Sequence, residues 1–389
     1  MRLFKVMHAL LAASLMVTCA APEDVGAGAA PVSGSVPESV WESVRESVPE
    51  RSEVAGNVPD LAAADRLFRP RDHEKTLVSA SCPAGTKRQE PLPIDLSVTP
   101  VTLGDASQVA RRIPETATLS GAWELSSSNS NFGGLSGLAL LPASEGGGLL
   151  TVSDAGAFVW IDLENGAPTA AKIAYMQGSS GAQLSGKRSG DAEGLVWSDG
   201  LALVSFERDF RIEAFALAAC GSAARAASVA SLPDKFERRN IDENQGPEAI
   251  FLEPDGALGF GYEGMLSVSP LGQVMADGTA EWTGQSAPAP ALHGLVAREV
   301  LALPDGSVRT LEMFRAWDPI QGNRIRLTWG TSDAESLTIS RPLMVDNFEG
   351  LAAEVLRDGA IRVWMVSDNN FSGDQRTLLY SFDVTIPQD

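Results

Sequence analysis

From about residue 118 onward, the chain alternates short apolar runs with polar turns. Such runs occupy residues 149–152, 201–204 and 361–366, and each is followed within a few residues by glycine, aspartate or asparagine. No long stretch keeps the 3.6-residue apolar period of an amphipathic helix. Runs of this length, bounded by turn residues, are typical of strands. The pattern therefore predicts an all-β region that extends to the C-terminus.

One structural unit recurs along this region. In each unit a short triplet introduces a first strand, a turn follows, and a second strand ends in an acidic residue. The triplets begin 50 to 57 residues apart, at Ser136, Glu193, Glu248, Arg298 and Glu349. The acids that end the second strands are 49 to 56 residues apart, at Asp154, Glu207, Glu263, Glu312 and Asp368. A period near 50 residues with about four strands per unit is typical of β-propeller blades.

The fold class predicted is therefore an all-β propeller of about five four-stranded blades. The fifth unit stops after its third strand, so we expect residues 117–125 to supply the missing strand and close the ring. Residues 92–103 contain a further candidate strand, which leaves six blades as the alternative. The propeller domain is assigned to residues 89–389.

The N-terminal part of the chain predicts export. Residues 1–20 have a charged start, an apolar run of about nine residues and a small-residue end, the order found in secretory signal peptides. The apolar run is too short to cross a bilayer. Cys19 stands where a lipid anchor would be attached, so a periplasmic or extracellular protein and a membrane-anchored lipoprotein both remain open. Residues 21–88 are rich in Pro, Ser, Glu and Ala and predict a largely disordered linker.

The net charge of the chain limits the classes of partner that it can bind. The formal net charge is −20, from 30 basic and 50 acidic residues, which disfavours nucleic acids as partners and favours cations.

Cys82 and Cys220 remain after removal of a signal peptide. In an oxidising compartment they either pair or stay as free thiols. We expect a monomer.

The repeated acids suggest a metal site. In a propeller, equivalent positions of successive blades form a ring around the central channel, and carboxylates that converge there repel one another unless a cation neutralises them. Oxygen ligands and an extracytoplasmic location favour Ca²⁺. The alternative is structural, with each acid accepting backbone N–H bonds from a nearby turn. The candidate metal ligands are Asp154, Glu193, Glu248, Glu263, Glu312, Glu349 and Asp368.

Arginines beside these acids suggest an anionic substrate. Arg208 follows Glu207, Arg315 follows Glu312, and Arg298 stands at a strand start. Guanidinium groups near a cation site suit a small anionic ester such as a phosphate, whereas the alternative is simple pairing with the neighbouring acids. The candidate catalytic residues are Glu193, Glu207, Arg208, Arg298 and Arg315.

Several of these segments resemble one known family. Residues 132–138, 191–195, 205–208, 346–351 and 367–371 resemble, in order, the bacterial phytase-like domain, which is described as having esterase-like activity. The resemblance covers about 250 residues. It implies a propeller related to the phytases that use calcium to hydrolyse inositol phosphates, although this chain lacks their dense Lys/Arg clusters and has about five units rather than six blades.

Two functions follow from these observations. The first is an exported phytase-like hydrolase, with Ca²⁺-assisted cleavage of phosphate or other esters in a carboxylate-lined channel. The alternative is a non-catalytic propeller that binds a ligand or a protein partner, in which any metal is purely structural.

Overall fold

A computed structural model describes residues 66–264, 269–286, 292–330 and 335–386. The predicted signal peptide, Cys19 and the linker up to residue 65 lie outside these residues. Among the described residues, no helix is both long and apolar enough to cross a bilayer.

Five antiparallel sheets form the blades of a propeller. Blade 1 contains β4 (Leu135–Leu140), β5 (Leu149–Ser153), β6 (Ala157–Glu164) and β7 (Ala167–Tyr175), with β1 (Leu92–Ile94) at its edge. Blade 2 contains β8 (Ala192–Ser198), β9 (Leu201–Phe206), β10 (Arg211–Phe215) and β11 (Ala227–Ser231). Blade 3 contains β14 (Ala249–Leu252), β15 (Leu258–Gly261), β16 (Pro270–Val274) and β17 (Ala280–Gln285). Blade 4 contains β18 (Gly294–Ala302), β19 (Val308–Asp318), β20 (Gly322–Thr328) and β21 (Ser336–Ser340). Blade 5 contains β22 (Asn347–Val355), β23 (Ile361–Asp368), β24 (Thr377–Val384), β3 (Ala117–Ser126) and β2 (Ser97–Pro100).

Strands from both ends of the domain close blade 5. The N-terminal β3 pairs with the C-terminal β24, with Trp123 opposite Leu379. The strand predicted at residues 117–125 is therefore present and completes the fifth unit. Residues 92–103 contribute β1 and β2, which are edge strands of blades 1 and 5, so the described chain has five blades rather than six.

The remaining elements connect or cover the blades. The helices are α1 (Pro70–Ser81), α2 (Ala106–Ala110), α3 (Lys187–Gly190) and α4 (Leu217–Cys220), with a 3₁₀ turn at Ala143–Glu145. A two-stranded hairpin of β12 (Lys235–Phe236) and β13 (Arg239–Asn240) lies between blades 2 and 3 in the sequence.

Helix α1 corrects the boundary predicted at residue 89. Phe68 and Leu77 are buried in one core cluster with residues of blades 2 and 3. Cys82 pairs with Cys220 in a disulfide with a Cα–Cα distance of 6.0 Å, which joins the end of α1 to α4. The structured domain therefore includes residues 66–88, which the sequence assigned to the disordered linker. Their composition is mostly polar, and only a few apolar side chains hold them against the blades.

Candidate functional site

A cavity of about 1240 Å³ opens at one end of the propeller channel. Its wall includes the starts of the innermost strands and the ends of the second strands, together with loop residues such as 341–346 and 374–376. Carboxylates outnumber cationic side chains along it. The lining carboxylates are Asp154, Glu193, Glu207, Glu248, Glu263, Asp346, Glu349, Asp368 and Asp374. The lining cations are Lys187, Arg208, Arg315, Arg341 and Arg376.

Glycines placed directly after the strand-start residues bring the inner strands together. A Cβ on Gly137 would lie 2.4 Å from the carbonyl oxygen of Glu193, and one on Gly350 would lie 2.2 Å from that of Ser136. A β-bulge interrupts the pairing at the same place in blades 1, 2 and 5. Bulges redirect side chains, and in these blades the residue before each glycine, Ser136, Glu193 or Glu349, lines the cavity.

Blade 4 departs from the predicted ring. Its bulge lies at Val296, and Phe314, paired with Leu295, is followed by Arg315. Val296 and Arg315 therefore hold the places that Glu193 and Glu207 hold in blade 2. Arg298 and Glu312 do not line the cavity. They face each other across β18 and β19, where they form an ion pair.

The structure thus separates the predicted site residues into two groups. Of the twelve positions named as ring or catalytic candidates, ten line the cavity: Ser136 of the ring and nine of the predicted metal-ligand or catalytic residues. Those brought together are Asp154, Glu193, Glu207, Arg208, Glu248, Glu263, Arg315, Glu349 and Asp368. Arg298 and Glu312 are excluded, because the fourth blade carries its ring residues two and three positions away from those predicted.

Three carboxylates form a compact group on blade 2. One carboxylate oxygen from each of Asp191, Glu193 and Glu207 lies within 4.8 Å of the others. Asp191 is almost fully buried, and its two oxygens accept hydrogen bonds from Lys187 Nζ at 3.1 Å and from Arg208 Nε at 2.8 Å. The cations therefore compensate Asp191 directly, while Glu193 faces further carboxylates.

Arg315 organises the opposite side of the cavity. Its Nη1 donates to Glu349 Oε1 at 2.5 Å and its Nη2 donates to Glu263 Oε1 at 3.1 Å. Glu349 also accepts from Ser136 Oγ at 3.1 Å and from Asn347 Nδ2 at 2.9 Å. The Arg315 guanidinium is therefore committed to neighbouring carboxylates, which is the structural alternative considered for it from the sequence.

Burial and mutual repulsion raise the pKa of most of these acids. Loss of solvation, followed by the charges of Glu248 and Glu349, raises the pKa of Glu193 well above its ordinary value. Burial likewise raises the pKa of Glu248 well above its ordinary value. Burial, with the nearby carboxylates of Asp191 and Glu349 respectively, raises the pKa of Glu207 to about 8 and that of Asp368 to about 8. Protons or a bound cation must relieve this repulsion near neutral pH.

The residues present fit a hard divalent cation. Oδ1 of Asp154 is buried and has no hydrogen-bond partner among the described residues, although Oδ2 of the same carboxylate accepts from Lys187. An acceptor left open beside converging carboxylates is a suitable ligand for a cation that prefers oxygen. This observation is independent of the acidic group of Asp191, Glu193 and Glu207.

A family model decides the relationship of this chain to known proteins. The Phytase-like model, described as "esterase-like activity of phytase", matches residues 130–371. The chain belongs to the phytase-like family. The match extends from β4 of blade 1 to β23 of blade 5 and includes the lining carboxylates and cations named above except Asp374 and Arg376. A search of curated proteins finds no match to this chain.

Solved structures similar to the phytase-like domain include three proteins of other kinds. The PQQ-bound aldose sugar dehydrogenase of Streptomyces coelicolor is 14% identical, and the match covers 75% of this chain and 99% of that one, with a TM-score of 0.37. Myxococcus xanthus glutaminyl cyclase is 12% identical over 69% and 97% of the two chains, with a TM-score of 0.37. An endo-arabinase of Bacteroides thetaiotaomicron is 7% identical over 78% and 99%, with a TM-score of 0.36. Likenesses this distant carry no functional argument.

The sequence did not point to Asp191 or Lys187 as residues of the phytase-like domain's candidate site. Asp191 precedes the repeated triplet and was not assigned to the ring, and Lys187 begins the short helix α3 between blades 1 and 2. The residue spacing in the sequence could have shown that Glu312 was wrongly assigned to the ring in blade 4. The sequence spacings of 49 and 56 residues on either side of Glu312 become 52 and 53 when Arg315 takes its place.

Proposed function

We propose that the chain is a hydrolase that cleaves phosphate or other anionic esters with the assistance of Ca²⁺ at this cavity. The observation that carries the proposal is the convergence of buried carboxylates from blades 1, 2, 3 and 5 on one open space, with too few cations to neutralise them. Membership of the phytase-like family supports an esterase activity.

Asp191, Glu193 and Glu207, together with the open oxygen of Asp154, would hold the cation. Carboxylate oxygens are the ligands that Ca²⁺ prefers. A bound divalent cation would polarise the ester and activate water for attack on it. The cation would also relieve the repulsion among these ligands, since it brings two positive charges to a group that now relies on Lys187 and Arg208.

The remaining residues bind and orient the substrate. Lys187 and Arg208 line the cavity beside the acidic group and would bind the anionic part of the ester. Asp368, with its pKa raised to about 8, keeps its proton near neutral pH and would donate it to the leaving oxygen. Arg315 has an indirect role, because its ion pairs fix the orientation of Glu263 and Glu349.

Export is part of the same proposal. The disulfide between Cys82 and Cys220 supports folding in an oxidising compartment, periplasmic or extracellular. Ca²⁺ is freely available there, so a weak cation site would be filled.

The test is hydrolysis of p-nitrophenyl phosphate, phytate and p-nitrophenyl acetate by the full chain, each with Ca²⁺ and with EDTA. We expect turnover of at least one ester that EDTA abolishes and Ca²⁺ restores. Turnover that persists in EDTA contradicts the role of the cation. Absence of turnover on all three, with Ca²⁺ only raising the melting temperature, would favour the non-catalytic propeller.

A further inference from the structure

Lys187 occupies the solvent side of the acidic group. Its Nζ lies 2.9 Å from Asp154 Oδ2 and 3.1 Å from Asp191 Oδ1. The side chain of Lys187 is 59% exposed, whereas those of Asp154 and Asp191 are 10% and 1% exposed. A solvent-exposed ammonium group therefore covers two largely buried carboxylates from outside.

These two carboxylates are the ones that a divalent cation would need. Asp191 belongs to the compact group with Glu193 and Glu207, and Asp154 has the open buried oxygen. An ammonium group and a divalent cation bound to the same carboxylates repel each other at close range. The two therefore compete for the carboxylates of Asp154 and Asp191.

The local backbone allows Lys187 to leave. It is the first residue of α3, which has four residues and no side-chain cap at its start. The preceding Gly186 has φ +73°, and a Cβ placed there would meet no atom within 4 Å. A lysine stem is flexible and its ammonium group has no fixed donor geometry, so the side chain can turn away without disturbing β8.

We propose that Lys187 is a built-in competitor for the cation, displaced from Asp154 and Asp191 when the cation binds and thereby released to bind the anionic group of the substrate. The inference rests on the proposed function, and it adds a coupling between cation occupancy and substrate binding. Lys187 therefore lowers the apparent affinity for the cation. While no cation is bound, the Lys187 amine stays paired with Asp154 and Asp191 and does not bind the anionic group of the substrate.

Calorimetric titration of the cation-free chain with Ca²⁺ tests the competition. We expect Lys187→Met to bind Ca²⁺ roughly tenfold more tightly than the wild type, since each partly exposed ion pair is worth up to about a factor of five. Lys187→Arg keeps the charge and should stay near the wild type. Lys172→Met is the matched control, because Lys172 forms an ion pair with Asp162 at 2.8 Å on blade 1 and does not line the cavity.

Amine acetylation followed by mass spectrometry tests the displacement without any substrate. Ca²⁺ should increase the labelling of Lys187 several-fold and leave that of Lys172 unchanged. Equal or weaker Ca²⁺ affinity in Lys187→Met, or labelling of Lys187 that Ca²⁺ does not increase, would overturn the inference while leaving the hydrolase proposal intact. If neither the wild type nor Lys187→Met binds Ca²⁺, the proposed function fails as well.

Discussion

The cation-free protein should lose stability as the pH rises from 5 to 8. Glu207 and Asp368 have a pKa of about 8 in the folded state, against ordinary values of 4.5 and 3.8 that apply when the chain unfolds. Between these limits the folded state binds more protons than the unfolded state. The stability contributed by these protons is complete below the unfolded pKa values and is lost as the pH approaches 8.

The size of the loss follows from the number of groups. One group that is protonated only in the folded state changes the free energy of unfolding by about 1.4 kcal/mol per pH unit. Glu207 and Asp368 together give an upper limit of about 5 kcal/mol between pH 5 and pH 7. Glu193 and Glu248, whose pKa values burial also raises, act in the same direction. We therefore expect a loss on the order of 5 kcal/mol over this range.

Urea denaturation at pH 5, 6, 7 and 8 in EDTA measures this dependence. Glu207→Gln should flatten the profile because it removes one titrating group. Glu164→Gln, at the exposed end of β6, should match the wild type. Saturating Ca²⁺ should remove the part of the slope that comes from Glu207, since the cation replaces the proton of this ligand. A profile in EDTA that is flat or rises with pH would refute the account of these carboxylates.

Two further variants test how the fold supports the site. Arg315→Met should destabilise the cation-free protein by about 3–5 kcal/mol at pH 8, because it leaves Glu263 and Glu349 without their shared cation; unchanged urea stability would show that the ion pairs do not matter. Replacing Cys82 and Cys220 together by serine should lower the free energy of unfolding by about 2–4 kcal/mol, and a wild type whose urea midpoint is insensitive to reductant would contradict this.

The repeat in the sequence was sufficient to predict the propeller. The period, the strand count and the incomplete fifth unit predicted about five blades, with six as the alternative, and a ring closed by residues 117–125; five blades and the closure by β3 are present. The disulfide could not be decided, since the sequence does not give the distance between Cys82 and Cys220. Helix α1 was missed because a few buried contacts, such as those of Phe68 and Leu77, fix an otherwise polar segment.

The site was harder to predict than the fold, because it depends on register. In blade 4 the triplet that begins at Arg298 resembles those of the other blades, but the true ring positions are two to three residues away. The sequence therefore assigned Arg298 and Glu312 to the ring, whereas Val296 and Arg315 hold those places. Asp191 lies two residues before Glu193 and just outside β8, so the repeated triplet does not include it although its carboxylate joins those of Glu193 and Glu207. Residue spacing identifies a ring of acids, whereas the bulges decide which side chains meet.

The central claim is that the acidic group on blade 2 supports hydrolysis through a bound cation. The most direct measurement compares ester hydrolysis and Ca²⁺ binding in the wild type, Glu193→Gln and Glu164→Gln at saturating substrate. We predict that Glu193→Gln loses about a hundredfold or more in turnover together with most of its Ca²⁺ affinity, because even groups that only orient a metal ligand cost about 10–100-fold when they are removed. Glu164→Gln should behave as the wild type. Full turnover in a folded Glu193→Gln variant would contradict the account.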